Sequence, residues 1–365
     1  MIKTTAINLD HQEPMVVTWD IGRRCNYDCT YCEDTRHNNT SKHRTVEELK
    51  VTFDFIQRWT KLYNKQRPID STIINFTGGE PTSNPHFFDF VEYVNQQDGY
   101  QLSLTTNGAW SPKFTDRIVK NFFGVTVSYH AEAHASLKKQ VIDNIISLSK
   151  SGLWLQVNVM LHTDYWEETV GVCNQLDELG IKYNPRPIGD GNIARKGWIS
   201  DSSGVMRRTS HEYSPEQIAW FYNKMGVADA PKDNKEGTDI GRACCGRRCT
   251  TGKVDGEWQP VKLIDTHFKG WSCMVDHYFL HIDQETDTVY HHQTCQALHG
   301  NKRGPIGLLK DADRLIADLE LRLQSKESIV CPNTRCGCGM CVPKAKDLED
   351  FIQIKTELLT QETSF

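Results

Sequence analysis

Hydrophobic and polar positions alternate in short runs through the first half of the chain, and longer segments of helical period fall between them. "MVVTWDI" (15–21), "STIINFTG" (71–78), "YQLSLTTNG" (100–108), "GVTVSYH" (124–130), "WLQVNVML" (154–161) and "IKYNPRPIG" (181–189) read as strands. The stretches 45–64, 84–97, 111–122, 137–152 and 166–180 read as amphipathic helices; Ser111-Pro112 opens one, and Gly152 and Gly180 close two. Strands alternating with helices in this way predict an α/β protein with a parallel sheet and right-handed crossovers, curled into an open or partial barrel. In such folds functional residues gather at the C-terminal ends of the strands.

The pattern changes after Gly197. Residues 198–260 are rich in Gly, Ser, Asp and Arg without clear period, and read as a bridging segment between a barrel domain (1–197) and a smaller C-terminal domain (261–365). In the latter, "YFLHIDQETDTVYHH" (278–292) predicts a β-hairpin turning near Gln284–Asp287, although without the favoured Asn-Gly turn, and 344–361 predicts a last helix.

Charge narrows the partners. A formal net charge of -5 offers no basic face for nucleic acid. The N-terminal "MIKTTAINLDHQEP" lacks the pattern of a secretory signal, and no run approaches the ~20 apolar residues of a membrane span. A cytoplasmic protein is expected.

The cysteines carry the chemistry. Thirteen is an odd number and does not suit a disulfide framework in such a compartment. Three stand at Cys25, Cys29 and Cys32, in the loop after the first strand; Cys173 lies in a helical stretch and reads as core; nine fall between 244 and 341. Two separate metal-binding regions follow. A closed zinc site needs four ligands, with His37 available as the fourth, whereas three thiolates can hold three irons of a [4Fe–4S] cluster and leave the last iron open to a chelating small molecule. "FTGGEP" ends the second strand at the same mouth: Gly78 and Gly79 permit close backbone approach to a ligand, and Glu80 offers an acceptor for an ammonium group.

Cys25-x3-Cys29-x2-Cys32 with Tyr31, together with Gly78-Gly79-Glu80-Pro81, resembles the radical S-adenosylmethionine enzymes; "TTNG" (105–108) and "SYH" (128–130) extend the resemblance, which covers roughly residues 15–190. It implies a partial (β/α)6 barrel of TIM type, whose cluster reduces S-adenosylmethionine and whose resulting radical abstracts hydrogen from an unactivated C–H bond. It implies that Cys25, Cys29 and Cys32 bind the cluster and that the Tyr31 backbone meets the adenine. Gly78, Gly79 and Glu80 would hold the methionyl amine and Ser128 the ribose. Asn107 or Asn158 would touch the cofactor more loosely, and Ile188 would pack on the adenine.

The later cysteines read as a second centre. A zinc ribbon is one reading of Cys273 and Cys295 on either side of the hairpin with Cys331, Cys336, Cys338 and Cys341 downstream. The arrangement also resembles the SPASM and shorter twitch extensions of the same family, which implies at least one auxiliary [4Fe–4S] cluster, with Cys273 and Cys295 as its firmer pair and two of the last four completing it. In "RACCGRRC" (242–249), Cys244 or Cys245 is a candidate hydrogen-atom donor or cluster ligand, and Arg247 and Arg248 are candidates to grip a substrate carboxylate.

The expectation is an oxidative transformation of a small molecule or short peptide, fed by an electron donor such as flavodoxin or ferredoxin. The short segment ahead of the first strand leaves no room for a peptide-recognition domain, which favours a small substrate. The rivals are a redox-neutral epimerase with Cys244 or Cys245 as donor, and a zinc-holding interaction module that is no enzyme.

Overall fold

In a computed structural model of the chain, the described residues are 4–9, 14–32, 37–66, 71–188, 198–200, 206–208, 213–225, 250–260, 267–291, 305–324, 328–331 and 342–360. Cys244, Cys245, Cys249, Cys295, Cys336, Cys338 and Cys341 lie outside them, as do Arg247, Arg248 and His292.

The chain opens with β1 (Thr4–Leu9), and the barrel follows as β2 (Met15–Asp20), α1 (Val46–Gln66), β3 (Thr72–Thr77), α2 (Phe87–Val94), β4 (Tyr100–Thr106), α3 (Thr115–Asn121), β5 (Gly124–Tyr129), α4 (Ala135–Ser149), β6 (Trp154–Leu161), α5 (Trp166–Glu178) and β7 (Tyr183–Pro187). Strands β2 to β7 pair parallel in sequential order. The expected α/β partial barrel is therefore present.

Period-two patterning sets its two faces. Val17, Trp19, Ile74, Phe76, Leu102, Leu104, Val125, Val127, Val157 and Val159 point to the helix layer and share one core with Leu49, Phe53, Phe87 and Phe90. The alternate positions are polar. Thr18, Asn75 and Ser103 stand opposite one another across β2, β3 and β4, and Ser128 opposes Asn158 across β5 and β6. Asn75 Oδ1 accepts from the Ser103 and Thr105 hydroxyls. The inner face is thus a polar surface on a hydrophobic wall.

Beyond the barrel come the short strands β8 (Trp198–Ser200) and β9 (Met206–Arg208), then α6 (Pro215–Lys224), begun by a Ser214–Gln217 capping box. A hairpin of β10 (Thr250–Val254) and β11 (Glu257–Pro260) follows. Then come β12 (Ser272–Cys273), α7 (Val275–Tyr278), β13 (Phe279–Asp283), β14 (Thr288–Tyr290), β15 (Gly307–Leu308), α8 (Ala312–Gln324), β16 (Ile329–Val330), β17 (Lys344–Ala345) and α9 (Leu348–Thr360).

The expected hairpin is β13–β14, turning over 284–287. It closes without Asn-Gly because Asp283 Oδ1 caps the Glu285 and Thr286 N–H groups and Asp287 takes a positive φ. Its placement was not legible in the sequence: β13 pairs parallel with β2 and extends the barrel sheet. Likewise β1 pairs with β10 and β17 in the second sheet, which also holds β12 and β16.

Candidate active site

The six barrel strands run parallel, so their C-terminal ends share one edge of the sheet, the mouth of the barrel. The cysteine loop leaves β2 and is laced to the loop after β3. Gly79 N–H donates to the Gly22 carbonyl and Glu80 N–H to the Arg24 carbonyl, both at 2.8 Å. A β-carbon on Gly78 would stand 2.5 Å from Gly22 O, and one on Gly79 2.3 Å from Arg24 O. The closeness that Gly78 and Gly79 permit is therefore spent on the cysteine loop. On the other side Cys25 N–H donates to Asn38 O, and Asn38 N–H to Arg23 O.

Glu80 is buried and its carboxylate is filled from within the protein. Oε1 accepts from Thr82 N–H, the Thr82 hydroxyl and the Thr106 hydroxyl; Oε2 accepts from Asn107 N–H at 2.7 Å. Burial pushes its pKa up, against the pull of these four donors. Asn107 in turn sends its amide to Asn26 Oδ1 at 2.6 Å and lies 3.9 Å from Cys25 Sγ.

A second clasp comes from the loop after β5. Glu132 accepts from Thr30 N–H at 2.8 Å and from the Thr30 hydroxyl at 2.5 Å, and pairs with His162 Nε2 at 3.0 Å. His130 lies half-buried beside them, with Nδ1 3.6 Å from Cys29 Sγ and hydrogen-bonded to the Tyr31 hydroxyl. Glu132 is not among the residues expected from the sequence; its place just after a strand end at the mouth was the available signal. His134 is the α4 cap, accepting from Ser136 N–H.

The remaining expected residues sit around this mouth. Ser128 and Asn158 are paired neighbours on the inner face, and Asn158 Oδ1 accepts from Gln156 Nε2 and Arg186 Nε. Ile188 follows β7, buried, its N–H bound to the Tyr213 hydroxyl. His37 pairs with Asp28 at 3.3 Å. Cys173 is core, as expected.

The thiols fit an iron–sulfur centre in their chemistry. Burial pushes Cys25 up to about 11 and Cys29 up to about 12, and the neighbouring charges that act on them are other thiols and the carboxylates of Glu80 and Glu132. Cations bound among the sulfurs would favour the ionised thiolates of such a set. Among the described residues no three His, Cys, Asp or Glu side chains are grouped to hold a single metal ion.

Residues 19–183 match the Radical SAM superfamily model. This segment is a radical SAM domain. Members of that superfamily are enzymes, and the family implies a [4Fe–4S] cluster and S-adenosylmethionine. The radical SAM domain is similar over 95 residues to the mycofactocin maturase MftC of Mycobacterium tuberculosis, at 25% identity over 26% of this chain and 22% of that protein. The AdoMet-dependent heme synthase of Methanosarcina barkeri is 22% identical over 179 residues, 46% of this chain and 48% of its own. These alignments span less than half of the relatives' lengths. Among solved structures, native anSMEcpe with bound AdoMet is 15% identical with a TM-score of 0.47, covering 94% of this chain and 96% of that one.

Outside the radical SAM domain, β12 and β16 bring two cysteines together. Ser272 opposes Val330 and Cys273 opposes Ile329, and Cys331 N–H donates to Trp271 O, so Cys273 and Cys331 share one face as diagonal neighbours. Both are buried. Lys344 stands opposite Cys273 on β17, fully buried, its ammonium 4.8 Å from the Phe268 ring. Nearby, Asp276 pairs with His277 Nδ1 at 3.0 Å and Arg322 Nη1 at 3.3 Å.

No helix among the described residues is long and apolar enough to cross a membrane.

Proposed function

We propose that the protein is a radical SAM enzyme that oxidises a small molecule or a short peptide with the help of an auxiliary [4Fe–4S] cluster. The observation that supports this most is the lacing of the Cys25–Cys32 loop onto Gly79 and Glu80 at the mouth of a polar-lined barrel. When bound, the cluster and S-adenosylmethionine supply one-electron cleavage of the cofactor and hydrogen-atom removal from an unactivated C–H bond.

The chain's own residues hold and shield. Cys25, Cys29 and Cys32 would hold the cluster and, being three, would leave it open to the cofactor. Gly78 and Gly79 form the wall beside that opening. Glu80, with four internal hydrogen bonds, fixes that wall to Asn107 and the cysteine loop. Tyr31, Asn107, Ser128, Asn158 and Ile188 surround the nucleoside. Cys273 and Cys331 are two ligands of the auxiliary centre, with Lys344 offsetting its negative charge. An external donor of the flavodoxin or ferredoxin kind supplies the electron.

The test is anaerobic incubation of the reconstituted protein with dithionite and S-adenosylmethionine. The expected products are methionine and 5′-deoxyadenosine, with neither formed after Cys25→Ala, Cys29→Ala and Cys32→Ala are combined. Equal yields from that variant would overturn the reading.

A further inference from the structure

One ring nitrogen on the inner face of the barrel is unaccounted for. His281 lies on β13, opposite Thr18 of β2, so it shares the polar face with Thr18, Asn75 and Ser103 and not the core face of Leu280 and Ile282. It is 6% exposed. Its Nε2 is 3.2 Å from Asp20 Oδ2, and its ring stacks on Tyr290 at a 5.4 Å centroid distance and 25°. Nδ1 is buried and, among the described residues, has no hydrogen-bond partner. Buried polar atoms are rarely left so, and those that are often mark sites completed by something else.

The geometry fixes what Nδ1 can accept. Asp20 is an acceptor, so in the neutral ring Nε2 carries the proton and Nδ1 presents its lone pair. The surrounding charge is acidic on balance. Asp20 and Asp283 stand side by side at the top of β2 and β13, and the nearby cation, Arg23, is spent on Asp283 at 3.6 Å. Tyr290, across the hairpin, is raised in pKa by burial and by Asp283 and stays a neutral hydroxyl. A carboxylate or phosphate brought to Nδ1 would meet a lone pair and two carboxylates. A hydroxyl or an ammonium would meet an acceptor in a favourable field.

We propose that His281, oriented by Asp20, is the substrate-binding acceptor of this enzyme, and that the substrate end entering the barrel carries a hydroxyl or an ammonium group. The proposal rests on the radical SAM reading of the mouth, since Asp20 ends the strand that leads into the cysteine loop. It makes the C-terminal hairpin part of the substrate site, which explains why β13 is joined edge-on to β2.

The test uses four fragments of matched size, each deuterated on carbon: propane-1,3-diol, propylammonium, propionate and propane. Binding is read by saturation-transfer NMR on the reconstituted protein with S-adenosylmethionine present. Proximity is read as deuterium in the 5′-deoxyadenosine formed after reduction. The diol or the ammonium fragment should bind and transfer label at least about ten-fold above propionate and propane, the preference of a single hydrogen bond, and which of the two leads names the donor. His281→Phe should remove that preference, and Asp20→Asn, the gentler change, should reduce it, with iron content confirming that each variant folds. Formation of unlabelled 5′-deoxyadenosine with all four fragments would sink this inference and leave the radical reading standing. Absence of 5′-deoxyadenosine in the wild type would sink both. A preference for propionate, or one unchanged in both variants, would also overturn it.

Discussion

Gly79 lies so near Arg24 that a β-carbon at position 79 would stand 2.3 Å from the Arg24 carbonyl oxygen. The clash is with backbone, which cannot swing aside as a side chain can. Gly79→Ala should therefore displace the cysteine loop, cost about 2 kcal/mol or more of stability, and lower the iron retained after anaerobic reconstitution. Gly171→Ala is the control. It sits within α5 with open space around its Cβ position, so the same change should be neutral or stabilise by about 0.5–1 kcal/mol. Equal iron loss in the two variants would show that the 79–24 contact does not hold the loop.

Glu132 makes a second, independent clasp on the same loop through Thr30. Removing the carboxylate takes away the His162 pairing and both Thr30 bonds together. Glu132→Ala should destabilise by about 2–3 kcal/mol, and the cluster signal should bleach faster in air than in the wild type. Thr30→Val removes one of the bonds and should have a smaller effect of the same sign. Visible absorbance followed after exposure to air would check both.

Asp276 gives a prediction about pH. Burial raises its pKa, but His277, Arg322 and His291 more than offset this, so the net shift is well below the ordinary carboxylate value. A depressed folded pKa stabilises above the unfolded value and loses that contribution as pH falls. The Asp276 share of stability should be intact at pH 7 and should decline from about pH 5 downward. Asp276→Asn should lower stability at pH 7 by about 3–5 kcal/mol, because the pairing of the buried Asp276 carboxylate with His277 and Arg322 is lost. Its melting temperature should also depend less on pH between 7 and 4 than that of the wild type. Parallel melting curves across that range would contradict the assignment.

The barrel was readable because its strands and helices obey different periods and each buries one face. The residues at the mouth were readable because cysteine spacing and a Gly-Gly turn leave few alternatives. What escaped depends on contacts between distant segments. Thr4–Leu9 is too short to reveal that its partners lie near residues 250 and 344, and α8 was missed beside the cysteine-rich segment. Glu80 was expected to face an ammonium group; only the fold shows Thr82, Thr106 and Asn107 already filling its lone pairs. The expected firm pair, Cys273 with Cys295, falls partly outside the described residues, while Cys331 became Cys273's neighbour through strand pairing that two-residue strands do not announce.

That neighbour relationship yields a prediction of its own. If Cys273 and Cys331 serve one centre, Cys273→Ser and Cys331→Ser should each lose the same auxiliary cluster, and the double variant should lose no more iron than either single one. The radical cluster, held by Cys25, Cys29 and Cys32, should persist in all three. Additive iron losses would place the two thiols on different centres.

The most direct measurement is the iron and sulfide content of anaerobically purified protein, wild type beside the combined Cys25→Ala, Cys29→Ala and Cys32→Ala variant. The account predicts about eight irons falling to about four, one cluster lost from the barrel mouth and one kept by the late cysteines. An iron content unchanged by the triple substitution, or zinc in place of iron when both metals are supplied, would contradict it.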